Sequence, residues 1–336
     1  MASKKVLVVV NPVAGGGRGA KMWAEAKAAV ESQFSGATID VFETTATEHG
    51  RGWVAEKLKA DRKGEGVVLA LGGDGTLSEV ARGCYGADGR LIAPGYALGL
   101  LPVGRGNDFF KTLAGETFGK GLAPWERGLK LIRESEPKPV DAGLVRFENP
   151  DGSAAGEGFL INILDFGFPG LVVDRVMNRK GLVAGKLLGG TRHTYLAQSA
   201  AAMLRYKPQP FAISVDGKNV FEGPLFSGMV INGRYNAGGV CWSATADPGD
   251  GVFEVLVLKD RGVVDSLKDA PLMKSGLWEK SPAATVTRGR EIRATWLGKG
   301  SKPHALFDVD GDLPEGPDAV TLVVKTAAEP VRIYRI

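Results

Sequence analysis

The chain has 336 residues, of which 44% are hydrophobic, and a formal net charge of +4 at pH 7. This length exceeds the size of one ordinary domain, so we expect two globular domains, and the apolar fraction excludes a disordered chain. Two distant cysteines, Cys84 and Cys241, form no metal-ligand spacing and favour a reduced cytoplasmic protein. No apolar window approaches the roughly 20 residues of a membrane span, so membrane contact is expected only at the periphery.

The first 136 residues alternate between strand-like and helix-like patterns. Lys5–Val10 is a β-branched run, and residues 20–34 carry apolar side chains at helical spacing. The same order recurs at predicted strands 38–42, 67–71 and 98–101, each followed by a helical segment. Repeated strand–helix units predict a parallel sheet with helices on both faces.

From residue 137 onward the pattern changes to short strands separated by Gly, Asp and Pro. Strands are predicted at 140–147, 159–163, 211–215, 225–231, 252–258 and 319–324, with one helical interruption at 172–206. We therefore predict an α/β N-terminal domain over residues 1–136 and a mostly-β sandwich domain over residues 137–324. Residues from about 325 to 336 are candidates for returning to the first domain.

The most basic part of the chain lies within this interruption. Residues 171–207 contain seven Lys or Arg side chains and one acid, Asp174. Two interpretations stay open, a solvated helical face and a patch that contacts anionic lipid at the membrane surface. Nucleic acid is not expected as a partner, because no aromatic stacking pattern accompanies the charge.

Three glycine-rich loops, 11–17, 72–76 and 104–108, follow predicted strands of the first domain. The carboxyl ends of parallel strands share one edge, where open α/β sheets bind ligands. Glycine lets backbone N–H groups approach phosphate oxygens, and the helix N-termini that follow favour anions. An acid in such a cradle repels phosphate unless a cation lies between them, so we predict that Asp74 holds Mg²⁺, directly or through water.

Each glycine-rich loop, taken alone, is weak evidence for a phosphate-binding site. Residues 15–20, GGGRGA, also fit a dinucleotide fingerprint with Asp40 about 20 residues further on, so a Rossmann oxidoreductase stays open on this motif. The chain has no G-x-x-x-x-G-K-[ST] motif, which argues against a Walker-type NTPase.

Four motifs together resemble the diacylglycerol kinase catalytic-domain superfamily, which includes bacterial soluble lipid kinases and sphingosine kinases. NPVAG at 11–15, GGDGTLSEVARG at 72–83, LPVGRGNDFFKTL at 101–113 and VDGDL at 309–313 are similar to family motifs in order and spacing. INGRYNAGGV at 231–240 and DPGDGVFEVLVL at 247–258 resemble two further family segments. The resemblance spans nearly the whole chain and implies an ATP-dependent lipid kinase that holds ATP between its two domains.

The resemblance implies transfer of the γ-phosphoryl group of ATP, with Mg²⁺, to a hydroxyl of diacylglycerol or a related lipid alcohol. It implies a general base at Asp312, with Asp310 and Asp74 as further catalytic acids. A structural cation would be held by Asp250 and the carbonyls of Phe253 and Val255. The implied nucleotide contacts are Asn11, Pro12, Ala14, Gly15, Thr44, Gly72, Gly73, Asp74, Gly75, Thr76, Arg105, Asn107 and Asp108.

Some motif positions depart from the family pattern. The glutamate of the last motif is Asp312 here, one methylene shorter, the threonine after Gly104 is Arg105, and an asparagine is Ser78. These departures keep a catalytically silent nucleotide- or lipid-binding protein open as an alternative. An NAD kinase-like enzyme is a second alternative, because such enzymes share the GGDGT motif.

We expect the protein to be cytoplasmic, with peripheral contact at the inner membrane surface, where it would meet its lipid substrate. Its oligomeric state stays open, and a homodimer is one alternative.

Overall fold

The computed structural model describes residues 5–104, 106–168, 206–260, 268–269, 271–299, 307–310 and 319–336. The predicted helical interruption lies outside the described residues up to residue 205, as do Arg105 and Asp312. Within the described residues, no helix combines the length and the apolar character that crossing a bilayer requires.

The described residues form seven α-helices and eighteen strands. The helices are α1 (Ala14–Gly17), α2 (Gly19–Gln33), α3 (Gly50–Ala60), α4 (Asp74–Gly83), α5 (Asp108–Ala114), α6 (Pro124–Glu134) and the short α7 (Leu272–Ser275). The strands are β1 (Lys5–Val10), β2 (Thr38–Glu43), β3 (Gly66–Gly72), β4 (Tyr96–Pro102), β5 (Glu136–Val140), β6 (Gly143–Glu148), β7 (Ala154–Leu160), β8 (Ile163–Gly167), β9 (Gln209–Val215), β10 (Lys218–Ile231), β11 (Tyr235–Asn236), β12 (Val240–Cys241), β13 (Phe253–Lys259), β14 (Ala284–Gly289), β15 (Glu291–Trp296), β16 (Phe307–Val309), β17 (Thr321–Thr326) and β18 (Val331–Arg335).

The first sheet has the strand order β2-β1-β3-β4-β18-β5. All of its described pairings are parallel except that of β18 with β5. Side chains of β1 alternate between two apolar cores, because successive strand residues point to opposite faces. Helices α2 and α6 cover one face, and α3, α4 and α5 cover the other. The predicted α/β domain with helices on both faces of a parallel sheet is therefore confirmed.

The last strand of the chain lies inside this first sheet. Ile333 of β18 pairs with Leu98 of β4, and Val331 pairs with Val140 of β5. Strands β5 and β18 therefore both belong to the first sheet, although the strands of the second sheet separate them in the sequence. The residue bounds predicted for the two domains stay predictions.

The second sheet is antiparallel throughout its described pairings. Its main order is β14-β13-β10-β9-β15-β17-β6-β7, while β8 pairs with β10 and β16 pairs with β8. One apolar core contains six buried phenylalanines, Phe147, Phe166, Phe211, Phe221, Phe253 and Phe307. A smaller core around Trp278 covers the opposite face of β8, β10 and β13. The predicted mostly-β, sandwich-like second domain is confirmed.

Two buried carboxylates face each other in the second sheet. Asp165 of β8 pairs directly with Asp308 of β16, and the two residues are 4% and 1% exposed. The pKa of Asp165 is raised well above its ordinary value, first because burial disfavours the charged form and then because Asp308 repels it. This pair lies within the second sheet, on the paired strands β8 and β16.

Candidate functional site

The three glycine loops meet at the carboxyl edge of the first sheet. Asn11, at the end of β1, donates from its side-chain amide to the Thr76 hydroxyl over 3.0 Å. The loops after β3 and β4 touch through their backbones: a Cβ built on Gly104 would lie 2.6 Å from the Cα of Gly73. Because no side chain separates these segments, the loops form one continuous surface.

The first loop is held by its own hydrogen bonds. The Asn11 carboxamide oxygen accepts the N–H of Val13 over 3.2 Å, and the Asn11 carbonyl accepts the N–H of Ala14 over 3.1 Å. Gly15 has a left-handed φ of 63°, and a Cβ at this position would collide with the Val103 carbonyl. Two further predicted contacts border this loop: the Pro12 carbonyl accepts the Ala20 N–H, and the Thr44 N–H donates to Val10.

Asp74 lies at the junction of the second and third loops. It is the first residue of α4, and its carboxylate accepts the N–H of Phe109 over 2.9 Å and the N–H of Asp108 over 3.0 Å. The pKa of Asp74 is raised, first by burial and also by the charge of Asp108, while the hydrogen bond from Phe109 opposes the rise. The carboxylate is thus oriented by the first turn of α5, in an environment that would favour a nearby cation.

The remaining residues of the GGDGT motif shape the same surface. Gly72 must lack a side chain because a Cβ would collide with Thr76, which is buried. A Cβ built on Gly75 would meet nothing within 4 Å. The start of α4 is therefore open beside Gly75 and leaves room for a ligand.

The third loop connects the two domains. Asn107 adopts a left-handed φ of 49°, and its amide donates to the Gly104 carbonyl over 3.0 Å. Asp108 is 3% exposed, and its carboxylate accepts from Lys111 over 2.6 Å and from the N–H of Gly238 over 2.8 Å. The described partners of the Asp108 carboxylate are thus protein groups, one of them in the second domain. Direct nucleotide contact by Asp108 stays a prediction.

Asp310 joins the second domain to α4. One of its carboxylate oxygens accepts from the Ser78 hydroxyl over 2.9 Å and from the N–H of Ile161 over 3.0 Å. The other accepts the N–H groups of Asn162 and Ile163, over 2.9 and 3.1 Å. Burial raises the pKa of Asp310 to about 7, although these four hydrogen bonds act in the opposite direction. Ser78 follows Asp74 by one helical turn, so Asp310 fixes the second domain close to Asp74.

The three residues predicted to hold a structural cation lie at the start of β13. The Asp250 carboxylate accepts the N–H of Val252 over 3.2 Å and lies 3.4 Å from the Arg288 guanidinium. Phe253 pairs with Gly289, and Val255 pairs with residues of both neighbouring strands. In the described part of the chain, no group of three or more His, Cys, Asp or Glu side chains could hold a metal ion. The cation site stays a prediction.

Several residues of this region were not predicted. Lys111 follows Asp108 by three residues on a helix, a spacing that could have indicated their ion pair. The contacts of Ser78 with Asp310 and of Gly238 with Asp108 carry no local signal, because their partners are distant in the sequence. These two contacts could be identified only from the structure.

Comparisons with known proteins agree with this architecture. The diacylglycerol kinase catalytic domain family matches residues 5–145. The family described as the YegS C-terminal NAD kinase beta sandwich-like domain matches residues 172–329. A solved diacylglycerol kinase structure from Bacillus anthracis covers 100% of this chain and 98% of its own, with a TM-score of 0.61 at 18% identity. A yeast NADH kinase structure covers 100% of this chain and 84% of its own, with a TM-score of 0.53 at 10% identity. These two likenesses show the fold.

Proteins with similar sequences identify the family to which the chain belongs. A Mycobacterium tuberculosis protein named diacylglycerol kinase is 24% identical, over 88% of this chain and 86% of its own length. A Xanthomonas euvesicatoria protein named "Probable lipid kinase YegS-like" is 31% identical, over 77% of this chain and 76% of its own length. With both domain families matched in the same order, the chain belongs to the bacterial diacylglycerol kinase and YegS-like lipid kinase family.

Proposed function

We propose that the protein is an ATP-dependent lipid kinase that phosphorylates a hydroxyl of diacylglycerol or of a related lipid alcohol. The observation that carries the proposal is the position of Asp74, a buried and oriented carboxylate where three glycine loops meet. A loop junction that served only as a turn would not require an acid at this point. Family membership and the names of the relatives support the same reaction class.

The glycine loops would hold the phosphates of ATP. Glycine allows backbone N–H groups to approach phosphate oxygens, and the N-terminus of the ten-residue α4 favours negative charge. Gly75 leaves this end of the helix open, and Asn11 and Thr76 border it with polar side chains. Positioning of the phosphates is the main contribution that a protein makes to phosphoryl transfer.

The residues at this junction fit a Mg²⁺ ion. Each oxygen of Asp74 accepts one backbone N–H, which leaves further lone pairs on both oxygens. Mg²⁺ is usually held by one or two carboxylates together with water and substrate phosphates, so a single acid suffices. When bound, Mg²⁺ would neutralise the charge on the phosphoryl group being transferred.

The acceptor hydroxyl would attack the γ-phosphorus, the bond from that phosphorus to the ADP oxygen would break, and Asp312 would take the hydroxyl proton. Asp310, two residues earlier, would act as a positioning residue, because its own carboxylate is engaged by Ser78 and by the backbone at residues 161–163. Asp312 is shorter than the family glutamate by one methylene. A displacement of about 1 Å can lower a rate about a hundredfold, so this exchange could affect the rate.

A lipid acceptor requires contact with a membrane surface. The basic segment 171–207, with seven cations and one acid, would provide that contact on a cytoplasmic protein. Co-sedimentation with vesicles tests this assignment, because binding through these cations must rise with anionic lipid and fall with salt. Binding independent of both would remove the segment from the proposal.

The decisive experiment measures transfer of label from γ-labelled ATP, with Mg²⁺, into a mixed lipid extract and, separately, into NAD. Asp74→Asn should lower lipid labelling by about a hundredfold to a thousandfold. Asp88→Asn, an exposed change outside the site, should leave it unchanged. Equal labelling by wild type and Asp74→Asn would refute the role of Asp74. Label in NAD alone would favour the NAD kinase-like alternative, and tight ATP binding without turnover would favour a silent binding protein.

A further inference from the structure

A cavity of about 360 Å³ lies between the two domains, beside the C-terminal half of α5. Its walls carry four cations and one acid: Lys111, Lys138, Arg234, Arg335 and Asp247. Lys138 and Arg335 come from the neighbouring strands β5 and β18 of the first sheet. Arg234 comes from the segment after β10 in the second domain. The cavity is therefore lined by more cationic than acidic side chains, which come from both domains.

Two of the four cations already have carboxylate partners. Lys111 lies 2.6 Å from Asp108, and Arg335 lies 2.7 Å from Asp247. Lys138 and Arg234 have no carboxylate within ion-pair distance among the described residues; the Nε of Arg234 donates to the Ala246 carbonyl over 2.8 Å. Two of the four cations thus have no ion-pair partner among the described residues.

One hydrogen-bond donor of the cavity residues also lacks an acceptor among the described residues. The Arg335 side chain is 16% exposed, and its Nε is buried without a hydrogen-bond acceptor in the described structure. Arg234 is half-buried. A buried donor that lacks an acceptor costs free energy. An anion in the cavity would offer an acceptor to such a donor and a counter-charge to Lys138 and Arg234.

We propose that this cavity binds the phosphate group of a small phosphomonoester. Arginine presents a planar fork of donors that suits phosphate oxygens, and lysine adds a compact charge. The volume is near the lower end of small-molecule pockets, which suits a phosphate with a small organic group. The ligand could be a free phosphate compound or the head group of a phosphorylated lipid, since both present the same dianion.

The site is distinct from the glycine-loop junction. Asp74 contacts the first residues of α5, whereas the cavity is lined by Lys111 to Leu113 and by Gly115, at the other end of the helix. The inference rests on cavity charge and donor geometry, and it does not require the proposed kinase reaction. Occupation would link β5 and β18 of the first sheet to Arg234 of the second domain.

Isothermal titration calorimetry with inorganic phosphate, at constant ionic strength, tests the proposal. Lys138→Gln should weaken phosphate binding about tenfold, the usual effect of losing one charged hydrogen bond. Lys218→Gln is the matched control, because Lys218 is also an exposed lysine of a strand and has no ion pair in the described structure. It should leave the affinity unchanged.

Absence of phosphate binding, or binding that Lys138→Gln and Lys218→Gln affect equally, would overturn the proposal. A second arm uses vesicles of phosphatidylcholine with and without a lipid phosphomonoester. Vesicle binding that requires both the phosphomonoester and Lys138 would identify a lipid head group as the ligand. Lys138-dependent binding of inorganic phosphate alone would identify a free phosphate compound.

Discussion

Replacing Asp165 by asparagine should stabilise the second domain at neutral pH. Asp165 and Asp308 are directly opposite on paired strands, where Cβ atoms lie about 5 Å apart. Two carboxylates at that separation repel by about 3 kcal/mol at an effective dielectric constant of about 20. If Asp165 binds a proton, this repulsion is avoided. Keeping that proton in the folded state lowers the free energy of unfolding by about 1.4 kcal/mol for each pH unit above the ordinary pKa of 3.8. Asparagine removes both costs and can donate to Asp308, so we expect a gain of up to about 3 kcal/mol.

Urea unfolding of wild type and Asp165→Asn at pH 5 and pH 8 measures this effect. Tryptophan fluorescence follows the unfolding of both domains, because the chain has six tryptophans, among them Trp278 and Trp296 of the second domain. The pKa of Asp165 is raised in the folded state. The stability that protonated Asp165 contributes is therefore fully present below pH 3.8, and it is lost as the pH rises toward the folded-state pKa. Asparagine does not ionise, so Asp165→Asn does not lose stability in this way as the pH rises. Its advantage should therefore be about 1 to 2 kcal/mol larger at pH 8 than at pH 5.

The exposed change Asp88→Asn serves as the control and should show no such dependence. An advantage of Asp165→Asn that is the same at both pH values would refute the reasoning. A variant less stable than wild type at pH 8 would refute it as well, because it would mean that the Asp165 carboxylate is satisfied in the folded state.

Two further predictions concern the loop junction and its surroundings. Asp312→Ala should lower kcat about a hundredfold or more in the γ-label assay while Asp312→Glu retains turnover; a fully active alanine variant would assign the proton to another group. Gly104→Ala should lower the free energy of unfolding by about 1 to 3 kcal/mol, because its Cβ would lie 2.6 Å from the Cα of Gly73. Gly75→Ala, whose Cβ meets nothing within 4 Å, is the matched change, and equal losses in thermal unfolding would contradict the close-approach argument.

Local patterns predicted most of the first domain. The β-branched run of β1 and the apolar spacing of α2 fix both elements without reference to the rest of the chain. The junction of the glycine loops followed from one rule, that parallel strands end at a common edge. The four donors of Asp310 could not be predicted in the same way, because they belong to α4, to the turn between β7 and β8 and to the first residue of β8, far away in the sequence.

The pairing of β16 with β8 shows the same limit in the second domain. A three-residue strand gives almost no periodic signal, and nothing in the sequence around Asp308 indicates that Asp165 is its neighbour. Likewise, the basic cavity combines Lys138, Arg234 and Arg335 from three separate segments. Such features depend on strand order, which periodicity along one chain does not determine.

The position of β18 has a consequence for the order in which the protein acquires its structure. In the described sheet, β18 is the strand that joins β5 to β4, so the first sheet cannot be completed until the segment Val331–Arg335 has left the ribosome. Until then β4 has an open edge, the kind of surface on which nascent chains aggregate. The pairing of β4 with β18 also closes a very long loop, and such pairings form slowly. The N-terminal domain therefore begins to form first during synthesis and is finished last.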